Sequence, residues 1–132
     1  MGLPSSIDPS EVARITREQY DAIIASGALE DAKVELLEGV IVEMSPQGLE
    51  HAAAVETLAQ LLRSALGDRP RIREEKPFAA GAESEPEPDI AVLAPSDPFG
   101  ALPSHAYLIV EIADTSLRKD RGTKAATYAK AG

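Results

Sequence analysis

The sequence predicts a single α/β domain in which helices and strands alternate along the chain. The clearest helix covers residues 50–66, where apolar residues recur every three or four positions. The two clearest strands cover residues 89–93 and 107–112, and their nearly continuous apolar character predicts burial on both faces of a sheet. With 132 residues, the chain is long enough for one hydrophobic core and too short for two.

The N-terminal half is predicted to hold a short helix followed by a β-hairpin. Thr16 and Gln19 have the spacing of a capping box, which predicts a helix over about residues 17–26. Residues 34–44 are rich in apolar and β-branched side chains, and the Glu-Gly pair at positions 38–39 predicts a tight turn between two strands.

The remaining elements are a third strand and a last helix. Residues 71–78 have a strand-like composition, and a Gly- and Pro-containing loop follows them. After the strand at residues 107–112, Thr115 or Ser116 can cap a helix that runs to about Lys130.

Composition limits the classes of function. Residues 1–13 show no periodicity and are predicted to form a tail, so the domain is assigned to residues 14–132. The net charge of −9, from 22 acidic and 13 basic residues, argues against a large basic surface for nucleic acid, although a small basic stripe or a metal ion can serve a nuclease. Because there are no cysteines, a bound metal would take oxygen or histidine ligands.

The distribution of apolar residues predicts a cytoplasmic location. No apolar run approaches the roughly 20 residues needed to cross a bilayer. The first residues lack the basic and apolar regions of a signal peptide.

Two acidic residues in apolar surroundings are the most informative feature of the chain. Asp89 begins one apolar strand and Glu111 lies within the other, where a carboxylate is costly to desolvate unless a cation lies beside it. Lys124 follows on the last helix. Phosphodiester hydrolysis needs an activated water and neutralisation of charge at phosphorus, which Mg²⁺ held by carboxylates and a nearby lysine can supply. These three residues are therefore candidates for a metal-assisted hydrolase site.

Each candidate also has a structural interpretation, which stays open at this point. Asp89 can simply begin a strand, and Glu111 can pair with an arginine. Asp120 and Lys124 are four residues apart, as in a solvated helix ion pair worth ~0.3–0.5 kcal/mol.

Five blocks in sequence resemble the Uma2 family of endonucleases, which belongs to the PD-(D/E)XK restriction-endonuclease-like superfamily. The blocks are VELLEGVIVEMSP, His51, SEPEPDIAV, LIVEIADTSL and DRGTKAATYAKAG. The resemblance extends from about Tyr20 to the C-terminus. It implies a metal-dependent endonuclease that hydrolyses DNA phosphodiester bonds.

The resemblance also implies a set of site residues. Asp89 and Glu111 would bind Mg²⁺ or Mn²⁺. The lysine usual in this superfamily would fall at Ala113, so Lys124 on the following helix takes its place as the candidate. Glu35 and His51 would complete the site, against the alternatives of a hairpin charge for Glu35 and a helix-start position for His51. Asp120 and Tyr128 also match the family pattern, without an assigned role.

For the fold, the resemblance implies a restriction-endonuclease-like mixed sheet flanked by helices, with an N-terminal helix and β-hairpin. Family members continue after the last helix with an aromatic-rich strand, and this sequence stops at Gly132. The last core strand is therefore expected to be missing. An open sheet edge favours pairing with another chain, so a homodimer is expected as well.

Two other functions stay under consideration. The net acidity, the displaced lysine and the expected lack of a strand are compatible with a catalytically inactive nuclease-fold module that serves as a binding or assembly scaffold. That alternative predicts that Lys124 points away from the two carboxylates. A metal-assisted phosphoesterase acting on small molecules is a third candidate.

Overall fold

The computed structural model describes residues 6–44, 46–112 and 118–132, and within the last segment the side chains from Lys124 onward. The elements are α1 (Arg17–Ala25), β1 (Val34–Leu37), β2 (Val40–Glu43), α2 (Leu49–Leu66), β3 (Arg71–Glu74), β4 (Ile90–Leu93), β5 (Leu108–Val110) and α3 (Arg118–Ala131). A single 3-10 turn, Pro9–Glu11, precedes them. In these segments no helix is both long and apolar enough to cross a membrane.

The capping box at the start of α1 is confirmed. The Thr16 hydroxyl accepts a hydrogen bond from Gln19 N at 3.2 Å, and the Gln19 side chain accepts one from Thr16 N at 2.9 Å. These bonds satisfy two amide groups that the first helical turn leaves without partners. The helix ends before Gly27, whose φ of +79° is accessible to glycine at little cost.

The predicted hairpin is confirmed with its turn at Glu38 and Gly39. Both residues have positive φ, +49° and +81°, as a two-residue type I′ turn requires. Gly39 also has no space for a side chain, because a Cβ there would lie 2.5 Å from Arg14 Cβ. Glycine at this position therefore permits the two-residue turn, and that turn gives the register in which Glu35 pairs with Val42.

The second sheet has the strand order β3-β4-β5, and both pairings are antiparallel. Helix α2 packs on one face of this sheet, as the predicted amphipathic pattern requires. That core contains Val55, Ala59, Ile90 and Val92, with Leu58, Leu62, Ile72, Val110 and Ile112 against them. The core on the other face contains Phe78, Ala80, Ala91 and Leu93, with Ala106, Ile109 and Tyr128 against them. Because Tyr128 belongs to α3, helices flank both faces of the sheet.

The single mixed sheet expected from the resemblance is not formed by the described residues, which instead form two antiparallel sheets. The backbone of strand β1 pairs with the segment before β4 through an isolated bridge between Leu36 and Glu85. Pro86 and Pro88 follow that bridge, and proline has no amide hydrogen to continue a ladder. The α/β class and the N-terminal helix and hairpin are confirmed.

Two of the predicted strands differ from expectation in length or burial. The strand predicted over residues 71–78 ends at Glu74, because Glu75 adopts φ +52° and Pro77 follows. β4 is fully buried as predicted, whereas β5 is exposed or half-buried and Leu108 is 47% exposed. Among the described strands β5 lies at one edge of its sheet, which explains its exposure. The predicted caps Thr115 and Ser116, and Ala113, lie outside the described residues.

Candidate active site

Asp89 lies at the centre of the site, immediately before the buried strand β4. Its carboxylate is 4% exposed, so its oxygens need partners within the protein. The Oδ2 atom accepts a hydrogen bond from Ile112 N at 2.6 Å, and Oδ1 lies 3.1 Å from His51 Nε2. The backbone after β5 and the start of α2 therefore hold this carboxylate in one orientation.

His51 reaches Asp89 from the first turn of α2. The imidazole is 7% exposed, and its Nε2 contacts the carboxylate. Its Nδ1 atom is buried without a hydrogen-bond partner among the described residues. One ring nitrogen of His51 therefore contacts Asp89, while the other has no partner among the described residues. Buried polar atoms are rarely left without a partner, so this arrangement is unusual for a purely structural histidine.

Lys124 connects three parts of the site from α3. Its Nζ lies 2.8 Å from Glu111 Oε1 and 3.3 Å from Glu35 Oε2, and it donates to the Glu87 carbonyl at 3.4 Å. The side chain is buried, which disfavours an ammonium, but the charges of Glu111 and Glu35 outweigh burial and raise the pKa of Lys124. The lysine is therefore charged at neutral pH.

Glu35 is a buried charge within β1, 4% exposed. Its Oε2 accepts a hydrogen bond from Glu87 N at 3.2 Å in addition to the contact with Lys124. Glu35 is thus a charge of the hairpin, as one interpretation expects, and it also contacts the candidate Lys124.

Glu111 follows β5 and shares its Oε1 atom between two donors, Lys124 Nζ and the Tyr128 hydroxyl, each at 2.8 Å. Burial raises the pKa of Glu111, the charge of Asp89 raises it further, and Lys124 opposes both. The raised pKa of Glu111 agrees with the geometry, because the Lys124 ammonium is shared between the Glu111 and Glu35 carboxylates.

Tyr128 lies one turn after Lys124 and points to the same carboxylate. Its ring makes an edge-on contact with Phe78, with the centroids 6.5 Å apart. Burial, followed by the charge of Glu111, raises the pKa of Tyr128. The hydroxyl therefore stays protonated and acts as a donor.

Glu75 belongs to the site although the sequence did not indicate it. One ligand atom from each of Glu75, His51 and Asp89 lies within 4.8 Å of the others, a separation suited to a shared cation. Glu75 N donates to the Asp89 carbonyl at 3.2 Å, and the residue has a left-handed φ of +52°. Glu74, the preceding residue, has the same side chain and nearly the same sequence context as Glu75. Only the pairing of β3 with β4 shows which of the two carboxylates lies near Asp89.

The contacts of the five predicted site residues form two groups. Asp89 contacts His51, and Lys124 contacts both Glu111 and Glu35. The two groups are linked through the backbone next to Glu111, because Ile112 N donates to Asp89. The side chain of Asp120 is outside the described part of the chain. Carboxyl groups outnumber the single ammonium, so the region favours a bound cation.

The site defines an α/β domain in which carboxylates and a histidine are grouped closely enough to share a divalent cation. The chain belongs to the Uma2 family, described as "Putative restriction endonuclease", whose family model matches residues 17–132. No curated protein matches the chain. Membership in this family indicates that the chain is a nuclease of the restriction-endonuclease type.

Proposed function

We propose that the protein is a metal-dependent endonuclease that hydrolyses DNA phosphodiester bonds, with a restriction-endonuclease-like arrangement around Asp89. The observation that carries the proposal is the burial of Asp89 beside His51, Glu75 and the lysine-bearing cluster, in a member of a family of nucleases. The chemistry of these groups matches the needs of phosphodiester hydrolysis.

The donor set fits a hard or borderline divalent cation such as Mg²⁺ or Mn²⁺. Asp89 would hold it, with His51 and Glu75 as the nearest further donors and Glu111 as the ligand implied by the family resemblance. A cation bound there supplies positive charge that offsets the charge of the scissile phosphate.

The protein's own groups would act around that centre. Lys124 carries a positive charge beside the carboxylates, where it can stabilise negative charge that develops at phosphorus or orient the attacking water. Tyr128 and Glu35 hold the lysine and Glu111 in place through their contacts. His51 fixes the orientation of Asp89.

The scaffold alternative predicts that Lys124 points away from Asp89 and Glu111. The observed arrangement differs for Glu111, whose Oε1 lies 2.8 Å from Lys124 Nζ. A buried lysine held by two carboxylates is still compatible with a structural ion-pair network, so activity has to be measured.

Supercoiled plasmid incubated with the purified protein and either Mg²⁺ or Mn²⁺ tests the proposal. We expect conversion to nicked or linear DNA, loss of that activity with EDTA, and loss in Asp89→Asn. Asp31→Asn serves as the matched control, because Asp31 is exposed in the turn that precedes β1. Absence of cleavage with either ion, or equal cleavage by Asp89→Asn and the parent, would refute the nuclease assignment.

A further inference from the structure

Two arginines occupy neighbouring positions on one face of strand β3. Arg71 pairs with Leu93 and Arg73 with Ala91 in the register with β4, so both side chains leave the same face. Residues two apart on a strand are separated by about 6.6 Å, comparable to the spacing of successive phosphates along one DNA strand. In a chain with 22 acidic and 13 basic residues, two adjacent positive charges call for an explanation.

Neither arginine forms an ion pair with a carboxylate within the part of the chain that the structure describes. Arg71 donates to the Asp97 carbonyl, and its guanidinium lies 3.9 Å from the centroid of the Phe99 ring. These contacts orient Arg71 without neutralising its charge. Arg63, on the neighbouring helix, differs because its guanidinium contacts Glu74 at 2.8 Å.

The two guanidinium groups are like charges at neighbouring positions on one face of β3, which is unfavourable in the free protein. An anion bound across both guanidinium groups would offset this repulsion. Guanidinium groups match phosphate oxygens in geometry, because their planar fork presents two parallel donors.

The position of the pair relates it to the candidate active site. Two residues beyond Arg73, the same chain segment reaches Glu75, which shares its cluster with Asp89 and His51. We propose that Arg71 and Arg73 bind the phosphate backbone of the DNA strand next to the position of cleavage. This inference rests on the proposed function for the identity of the polyanion. It assigns to the two arginines a positioning role and no part in the chemical step.

Salt dependence of DNA binding tests the assignment separately from cleavage. The affinity of a fluorescent DNA duplex is measured in EDTA by anisotropy over a range of KCl concentrations, for the parent and for Arg71→Ala, Arg73→Ala and Arg63→Ala. Each lost phosphate contact reduces the magnitude of the slope of log K against log salt by about 0.9. We expect that reduction for Arg71→Ala and Arg73→Ala and an unchanged slope for Arg63→Ala.

Charge-conserving variants separate phosphate binding from effects on folding. Arg71→Lys and Arg73→Lys should keep the slope of the parent, because lysine also binds phosphate as a point charge. The inference fails if the parent does not bind the duplex, if the alanine variants keep the parent slope, or if Arg63→Ala loses as much. Normal slopes without any plasmid cleavage would refute the nuclease assignment and leave the DNA-binding role intact.

Discussion

Lys124 Nζ lies 2.8 Å from Glu111 Oε1 and is also within 3.3 Å of Glu35 Oε2, so one buried ammonium joins α3 to the ends of two strands. Removing one partner from a buried ion pair leaves an uncompensated charge and costs about 3–5 kcal/mol. The lysine is therefore expected to matter for folding as well as for catalysis.

Lys124→Met, which keeps the unbranched chain up to the Cε position and removes the ammonium, is expected to lower the free energy of unfolding by about 3–5 kcal/mol. Urea denaturation measures the change. Lys130→Met is the matched control, because Lys130 pairs with Glu38 at the surface and is 73% exposed. That exposed pair contributes at most about 1 kcal/mol. Equal effects of the two substitutions would contradict the buried network.

Glu75→Gln is expected to weaken Mn²⁺ binding by about tenfold or more in isothermal titration calorimetry, because it removes a carboxylate from the cluster with Asp89 and His51. Glu74→Gln provides the control on the adjacent residue, whose carboxylate contacts Arg63. Mn²⁺ should also bind more tightly than Mg²⁺, since imidazole nitrogen suits transition metals better than magnesium. Identical Mn²⁺ affinities for the two variants would exclude Glu75 as a ligand.

Tyr128→Phe removes the hydroxyl that donates to Glu111 Oε1 at 2.8 Å. A hydrogen bond to a charged group contributes about 1.5–3 kcal/mol, so a loss of that size is expected in the free energy of unfolding. Tyr107→Phe should change the stability little, because Tyr107 is 72% exposed. A Tyr128→Phe protein as stable as the parent would mean that Lys124 alone satisfies Glu111.

Glu85 predicts a dependence of stability on pH. Burial, followed by the influence of the neighbouring Asp21 carboxyl, raises the pKa of Glu85 from 4.5 to about 7. Between these two pH values the folded protein binds more protons at Glu85 than the unfolded chain does. The stability that this residue contributes is therefore full below about pH 4.5, falls as the pH rises to about 7, and changes no further above it.

The corresponding measurement is the free energy of unfolding at several pH values for the parent and Glu85→Gln. Their difference should grow from about pH 4.5 to 7, reaching about 1–2 kcal/mol in favour of the glutamine variant once solvent screening is allowed for. Glu83→Gln, at an exposed position two residues away, should follow the parent. Parallel curves for the parent and Glu85→Gln would show that the pKa of Glu85 is ordinary.

Local sequence signals anticipated most of the elements. The capping box at Thr16, the turn at Gly39 and the periodicity of α2 each depend on residues a few positions apart, so the chain encodes them directly. The pattern of carboxylates in apolar strands, together with the family resemblance, also selected the residues that form the two linked groups of contacts around Asp89 and Lys124.

The missed features depend on contacts between distant segments. Glu75 joins Asp89 only because β3 pairs antiparallel with β4 and because its backbone adopts a left-handed conformation after the strand. Nothing in the local pattern around Glu74 and Glu75 specifies that register. The separation into two sheets likewise depends on where Pro86 and Pro88 interrupt pairing with β1, and composition alone does not locate that break.

We propose that Asp89 holds the divalent cation of a nuclease. Anomalous diffraction from crystals soaked in Mn²⁺ tests this role, with crystals of Asp89→Asn as the reference. We expect an anomalous peak within bonding distance of the Asp89 carboxylate in the parent and none in the variant. A parent crystal without a peak at Asp89, or a peak that persists in Asp89→Asn, would contradict it.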